Sequence, residues 1–301
     1  MSLKDKIQAL KEARNAVILA HYYVPDEVQE IADYVGDSYY LSKLARDAEA
    51  ETIVFCGVSF MGESAKILSP DKTVLMPDPA ADCAMAHMAD LIKIKEMREK
   101  YEDLAVVCYI NSTAELKTYS DVCVTSANAL KIVRNLPNKN IFFIPDGNLG
   151  RYVAEQIPEK NVILNDGYCP VHAAWTKEEV LDAKAKHPEA EFVVHPECTK
   201  DLLHEADYIG STSGIINYVT ASECKEFIIG TENGVIYELK VKNPDKKFYP
   251  LNDHQVCPDM KMVTLEKVYD VLANGTNEIH VSDELRKESM KPLERMLELS
   301  K

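Results

Sequence analysis

Short apolar runs alternate along the chain with longer stretches in which apolar side chains recur at helical spacing. Three of the runs end on a polar or aromatic residue: Val17-Ile18-Leu19-Ala20-His21, Val106-Val107-Cys108-Tyr109 and Phe192-Val193-Val194-His195. With His21, Tyr109 and His195 taken as origins, an aspartate follows twelve residues on each time, as Asp33, Asp121 and Asp207. At sixteen and seventeen residues stand Asp37-Ser38, Thr125-Ser126 and Ser211-Thr212, within the related segments IADYVGDS, YSDVCVTS and EADYIGST. A glycine comes at 41, 41 and 39 residues (Gly62, Gly150, Gly234), and a cysteine at 62, 60 and 62 (Cys83, Cys169, Cys257). The origins lie 88 and then 86 residues apart, so one unit of this length occurs three times. Several independent landmarks in register make coincidence a poor account.

The periodicity predicts strand and helix in alternation within each unit. Leu41, Leu44, Ala45 and Ala48 follow helical spacing, with Ser38 expected as N-cap, and Ala129, Val133 and Leu136 do so after Ser126. Thr176 and Glu179 form a capping-box pattern for a helix ending at His187-Pro188, and Pro292 is expected to start a last helix carrying Leu293, Met296 and Leu297. Short apolar strands separated by helices imply parallel βαβ units with helices on both sheet faces. The expected architecture is α/β: three similar αβα domains with parallel sheets, related by pseudo-threefold internal symmetry. Their expected bounds are 1–84, 85–170 and 171–284, with a C-terminal helix (285–301) packing back on the first.

Composition narrows the function. With 301 residues and 46% hydrophobic content the chain is long and apolar enough to bury a core. Apolar runs such as Ala16–Ala20 fall far short of the roughly 18 residues that span a membrane, and the N-terminus lacks the apolar stretch of a signal peptide, so a cytoplasmic protein is expected. The net charge of −15 argues against nucleic acid and anionic membrane as partners. Small anions are still admissible, because backbone N–H groups at helix starts hold them without net positive charge. Neither a Walker A loop nor a dinucleotide glycine fingerprint occurs, since Gly57–Gly62 is followed by Glu63, so no nucleotide cofactor is indicated.

Ligands of parallel sheets bind at the carboxyl ends of strands. Those ends contribute His21-Tyr22-Tyr23, Tyr109-Ile110-Asn111 and His195-Pro196-Glu197. Ser38, Ser126 and Thr212 lie where a strand end passes into a helix, and each suits an ordinary cap or an anion cradle. Three such sites around a common axis form a pocket for a carboxylate or phosphate. Glu197 and Tyr23 are candidate acid/base groups, with His21 and His195 as donors to substrate. His172, three residues past Cys169, either orients a ligand or serves the fold. His87, His187, His204 and His254 have no counterpart in the repeat and are expected at the surface or in packing.

The chain has eight cysteines and no C-x-x-C pair. Cys56, Cys108, Cys123 and Cys224 sit in or beside apolar segments and are expected to be small buried residues, and Cys198 fits either the core or the pocket. Cys83, Cys169 and Cys257 share one repeat position in loops. Threefold symmetry brings their sulfurs together, which suits a [4Fe–4S] cluster with one open iron, or a three-thiolate zinc site, against unreactive loop cysteines.

These residues resemble the quinolinate synthase family over essentially the whole chain. The resemblance is carried by AHYY, IADYVGDS, FMGE at Phe60–Glu63, Cys83-Ala84-Met85-Ala86, YINST, TSAN, CPVH, HPEC, GST and GTE. It implies condensation of iminoaspartate with dihydroxyacetone phosphate to quinolinate, with loss of phosphate and two waters. It also implies a [4Fe–4S] cluster on Cys83, Cys169 and Cys257 and an aspartate-oxidising enzyme as supplier of iminoaspartate. The implied substrate-binding residues are His21, Ser38, Tyr109, Asn111, Ser126, His195, Glu197 and Thr212, with Tyr23, Glu197 and His195 as the implied catalytic groups. Some members carry further cysteines beside the third ligand; here Cys257-Pro258-Asp259-Met260 offers one only, so a disulfide switch is not supported. A diphthamide-type radical iron–sulfur enzyme and a non-catalytic iron–sulfur sensor are the alternatives, and the strong negative charge disfavours the operator binding a sensor would need.

Overall fold

The computed structural model of the protein describes residues 2–301. Its elements fall into three successive runs of the same order. The first comprises α1 (Leu3–Ala13), β1 (Ala16–His21), α2 (Asp26–Ile31), β2 (Tyr34–Gly36), α3 (Ser38–Asp47), β3 (Thr52–Cys56), α4 (Ser59–Leu68) and β4 (Thr73–Leu75). The second comprises α5 (Leu91–Lys100), β5 (Leu104–Tyr109), α6 (Ala114–Thr118), β6 (Val122–Val124), α7 (Ala129–Asn135), β7 (Asn140–Ile144), α8 (Gly147–Gln156) and β8 (Asn161–Leu164). The third comprises α9 (Lys177–Lys186), β9 (Glu191–Val194), α10 (Lys200–Leu203), β10 (Tyr208–Ile209), α11 (Thr212–Ala221), β11 (Glu226–Gly230), α12 (Val235–Lys242) and β12 (Lys247–Pro250). Helices α13 (Pro258–Lys261), α14 (Leu265–Asn274) and α15 (Asp283–Leu299) close the chain.

Each run builds a four-stranded sheet of the same order: β2-β1-β3-β4, β6-β5-β7-β8 and β10-β9-β11-β12. The register repeats as well. Ala20 pairs with Cys56, Cys108 with Ile144 and Val194 with Gly230, all in parallel and at the same offsets from His21, Tyr109 and His195. On the next pair, Val54 opposes Leu75, Phe142 opposes Ile163 and Ile228 opposes Tyr249. The repeating aspartate is a structural hook in the first and third runs, where Asp33 accepts the Ile18 N–H at 2.8 Å and Asp207 the Phe192 N–H at 2.8 Å. The glycine landmark marks close helix-on-strand packing: a Cβ on Gly62 would lie 2.5 Å from the Met76 sulfur, and one on Gly150 2.9 Å from Leu164.

The chain divides into two compact units. One comprises Met1–His87, Ile110–Cys123 and Pro258–Lys301 and is cored by β1 and β3, with α14 against α1 and with α15 against α4 and α6. The other comprises Met88–Tyr109 and Val124–Cys257, where Trp175, Phe192, Val194, Cys198 and Ile228 share one buried cluster. Among the described residues no helix is long and apolar enough to cross a membrane.

Three local expectations are corrected. The cap of α3 is Asp37, whose carboxylate accepts the Tyr40 N–H, so Ser38 is the first helical residue. Likewise Ser211 caps α11 and Thr212 follows it, while α7 starts three residues after Ser126, behind Asn128. In the first and third runs the oxygen at the sixteenth position accepts the third helical N–H, which releases the hydroxyl at the seventeenth from capping. Pro292 does not open the last helix; α15 begins nine residues earlier, capped by Ser282, and carries Pro292 inside it. An interior proline costs about 3 kcal/mol, which burial of Leu293, Met296 and Leu297 offsets. The capping box of Thr176 and Glu179 and the end of α9 at His187 are as expected.

Candidate active site

In the second unit five expected residues and one weighed residue meet at the carboxyl ends of β5 and β9. Tyr109 ends β5, and its hydroxyl donates to Glu197 Oε1 at 2.5 Å; such a bond to a buried charged acceptor contributes about 1.5–3 kcal/mol. The other carboxylate oxygen, Oε2, lies 2.8 Å from Nδ1 of His172. That nitrogen also faces the Cys169 sulfur at 3.2 Å, while Nε2 of His172 faces the Thr231 hydroxyl at 2.9 Å. The Glu197 N–H donates to Nδ1 of His195 at 3.3 Å, which leaves the His195 proton on Nε2, 3.1 Å from the Ser126 hydroxyl. Glu197, His172 and His195 are all buried.

Burial pushes His195 down to about 4, against the pull of Glu197, so the ring is neutral at physiological pH. Burial pushes Glu197 up, but His195, His172 and the hydrogen bonds from His172 and Tyr109 outweigh it and hold the carboxyl below the ordinary range. Asp146, which caps α8 through the Asn148 and Leu149 N–H groups, goes the other way: burial and the charge of Glu197 raise it well above that range. Their surroundings thus push these two carboxyls in opposite directions.

The first unit holds the corresponding end of β1. His21 is buried, and its Nδ1 accepts the Tyr23 N–H at 3.2 Å, repeating the His195–Glu197 arrangement and leaving Nε2 as the donor. The Tyr23 ring meets the His21 ring edge-on at 4.5 Å, and Lys261 donates to the Tyr23 carbonyl at 2.5 Å. Asn111 lies in the turn before α6 with its Oδ1 buried and lacking a hydrogen-bond partner. That turn is held by the fully buried Lys117, which donates to the Ser112 carbonyl, and by Glu63, which accepts the Ala114 N–H at 3.0 Å.

Cys83, Cys169 and Cys257 each follow the fourth strand of their sheet and are half-buried. No disulfide joins any two of the cysteines among the described residues. Thiols are soft donors of the kind iron–sulfur groups use, and Cys169 has a buried histidine beside it, the sort of N–H donor that thiolate ligands use. Cys169, His172 and Glu197 also present donor atoms within 4.8 Å of one another, close enough for a single ion. Cys56, Cys108 and Cys123 are buried as expected, and Cys198 is a core residue. Cys224 is corrected to half-buried, because it lies in the turn between α11 and β11 with its sulfur toward the Glu189 and Glu226 carbonyls. His187 packs on Tyr249 with ring centroids 3.5 Å apart, His87 pairs with Asp82 at the surface, and His204 and His254 are exposed.

Tyr109, Ser126, Cys169, His195 and Glu197 are thus brought together, with Thr212 buried at the head of α11 and Cys257 in its loop within the same unit. His21, Tyr23, Ser38, Cys83 and Asn111 belong to the first unit. Sequence reasoning missed Asp146, Lys117, Thr231 and Glu232. The GTE segment was a visible signal for the last two, whereas Asp146 and Lys117 stand in no repeated landmark.

The family described as quinolinate synthetase A protein matches residues 5–298. The chain is 55% identical over 298 residues to a quinolinate synthase of Fusobacterium nucleatum, covering 99% of both chains. It is 53% identical to one of Clostridioides difficile, covering 99% of this chain and 98% of the relative, and 52% identical to one of Caldicellulosiruptor saccharolyticus at the same coverage.

Proposed function

The chain belongs to the quinolinate synthase family, and from that premise we propose that it condenses iminoaspartate with dihydroxyacetone phosphate in NAD biosynthesis, yielding quinolinate, phosphate and two waters. The observation that carries this reading is the buried Glu197 carboxylate, held ionised by Tyr109 and His172 beside a neutral His195. Forming a carbon–carbon bond and then expelling water needs a base that takes a proton from carbon and acids that protonate departing oxygens. Glu197 accepts the proton at its carboxylate. Tyr109 and Tyr23 hold phenolic protons for transfer. Nε2–H of His21 and of His195 donates to substrate oxygens, while Ser38, Ser126 and Thr212, released from capping, and Asn111 bind the carboxylate and phosphate groups.

We further propose that Cys83, Cys169 and Cys257 hold a [4Fe–4S] cluster, and that residues 1–84, 85–170 and 171–284 (with 285–301 returning to the first) are domains around a pseudo-threefold axis. Identical strand order and register in the three sheets support the symmetry. Held by these three cysteines, such a cluster would leave one iron open and would supply Lewis acidity for the loss of water. The reading places the protein in the cytoplasm, downstream of an enzyme that oxidises aspartate to iminoaspartate.

Anaerobic purification followed by an assay with both substrates tests it. The expected result is a brown protein with about four irons and four sulfides per chain that forms quinolinate. A fully loaded protein that makes none overturns the reaction. Zinc without acid-labile sulfide overturns the cluster in favour of a single ion on Cys169, His172 and Glu197.

A further inference from the structure

The GTE segment at the carboxyl end of β11 reaches both cysteine loops of its unit. Thr231 and Glu232 are completely buried, though a hydroxyl and a carboxylate are costly to bury without partners. The Thr231 hydroxyl meets Nε2 of His172 at 2.9 Å, and the opposite nitrogen of that ring faces the Cys169 sulfur. Glu232 accepts the Cys257 N–H on Oε1 at 3.1 Å and the Gly234 N–H on Oε2 at 2.6 Å. Gln255, also completely buried, ties the same two segments together: its side-chain amide nitrogen donates to the Ile229 carbonyl at 2.9 Å and to the Thr231 carbonyl, and its backbone carbonyl accepts the Asn233 N–H at 2.9 Å. Two loops far apart in sequence are therefore fastened to adjacent residues of one strand end.

We propose that Thr231 and Glu232 are positioning residues for the cluster, Thr231 acting on Cys169 through His172 and Glu232 acting on Cys257 through its backbone. The inference rests on the reading of both cysteines as ligands. Each contact has a distinct consequence. With the Thr231 hydroxyl bonded to Nε2, Nδ1 keeps its proton for the sulfur and Glu197, so the imidazole holds one tautomer and one orientation. With both Glu232 oxygens used as acceptors, the Cys257 amide is fixed at the point where the loop presents its thiol. The carboxylate also places negative charge beside the ligand, which disfavours the more negative reduced cluster.

The test compares reconstituted protein carrying Glu232→Gln, Thr231→Val or Thr231→Ser with the parent, and with Cys169→Ala and Cys257→Ala. An amide at 232 has one acceptor oxygen for two N–H groups, and valine keeps the shape of threonine without its hydroxyl. Iron and sulfide per chain, the rate of iron release to a chelator, and the cluster reduction midpoint are measured, with thermal unfolding of the apo forms as control. Partners of metal ligands typically contribute 10–100-fold to metal affinity, so Glu232→Gln and Thr231→Val should release iron about 10–100-fold faster. The midpoint should rise in Glu232→Gln, and Thr231→Ser should restore the parent rate. If both cysteine variants lose the cluster while Glu232→Gln and Thr231→Val match the parent in release and midpoint, the inference is overturned and the ligand reading stands. If the cysteine variants keep full iron, the ligand reading itself fails and the inference with it. Should Glu232→Gln not fold, the Thr231 pair decides: slow release in both valine and serine forms overturns the proposal, and fast release in valine alone supports it.

Discussion

At Glu197 burial and hydrogen bonding pull in opposite directions, and the balance leaves a carboxylate buried in the turn just past β9. Glu197→Gln keeps the size and the contact with Tyr109 but removes the charge that His172 faces at 2.8 Å. General acid–base groups contribute roughly 10²–10⁴-fold, so this variant should bind its cluster normally and lose at least about a hundredfold in quinolinate formation; parent-like turnover at equal iron content would refute the role. Thr212 follows its helix cap instead of serving as one, so Thr212→Val should raise the KM for an anionic substrate more than it lowers kcat, and unchanged substrate binding counts against the cradle. Asp78 offers a pH test in the first unit. Burial pushes its carboxyl up, but Lys267 and the Ala80 N–H at 2.8 Å outweigh this and hold it below the usual range. A depressed carboxyl contributes stability above its unfolded value, about 3.9, and loses it as the pH falls through the folded value. Asp78→Asn should therefore be less stable than the parent at neutral pH in urea unfolding, with the gap closing in acid; a gap independent of pH would discount the ion pair. The side chains named from sequence were those that repeat: His21 and His195 share a backbone bond to Nδ1 because they share a strand register. Lys117 and Asp146 were invisible because burial of a charged group depends on neighbours brought from elsewhere in the chain.

Helix ends were less legible than helix bodies. Asp37-Ser38 and Ser211-Thr212 each offer two adjacent capping side chains, and periodicity does not say which one has the extended backbone from which an oxygen reaches the second or third helical N–H. The structure chooses the earlier residue both times. Strand bodies were read more securely, since apolar runs such as Ile53–Cys56 are buried on both faces. In α15 the proline read as a starting residue lies inside, because Ser282, Asp283 and Glu284 supply the cap and the acidic first turn farther upstream. The helix is thus held both by its cap and by its buried stripe. Ser282→Ala should lower stability by about 1 kcal/mol, and Leu293→Ala, at a side chain with no exposure, by about 2–5 kcal/mol. Denaturant unfolding checks both, and a cost for Leu293→Ala no larger than that for Ser282→Ala would count against packing as the main hold on the helix.

For the molecule as a whole, triplication is the feature with the widest consequence. One repeat supplies a strand end, a hydroxyl released from capping and a cysteine, and a net charge of −15 leaves local donors, not the overall field, to attract anions. Two arrangements of metal then make opposite demands on the cysteines. A single ion on Cys169, His172 and Glu197, whose donor atoms lie within 4.8 Å, needs only one thiolate. A cluster with one open iron needs all three, and removal of any one leaves a second iron without its protein ligand. Cys83→Ala distinguishes them most sharply, since Cys83 lies in the first unit and plays no part in the single-ion set. The cluster predicts that Cys83→Ala, Cys169→Ala and Cys257→Ala each lose most of their iron and acid-labile sulfide and the brown absorption, to the same extent. The single ion predicts full metal in Cys83→Ala and Cys257→Ala and loss in Cys169→Ala alone. Metal and sulfide analysis of the three proteins, prepared anaerobically side by side, decides between a site built once and a site that the repeat builds from three equivalent corners.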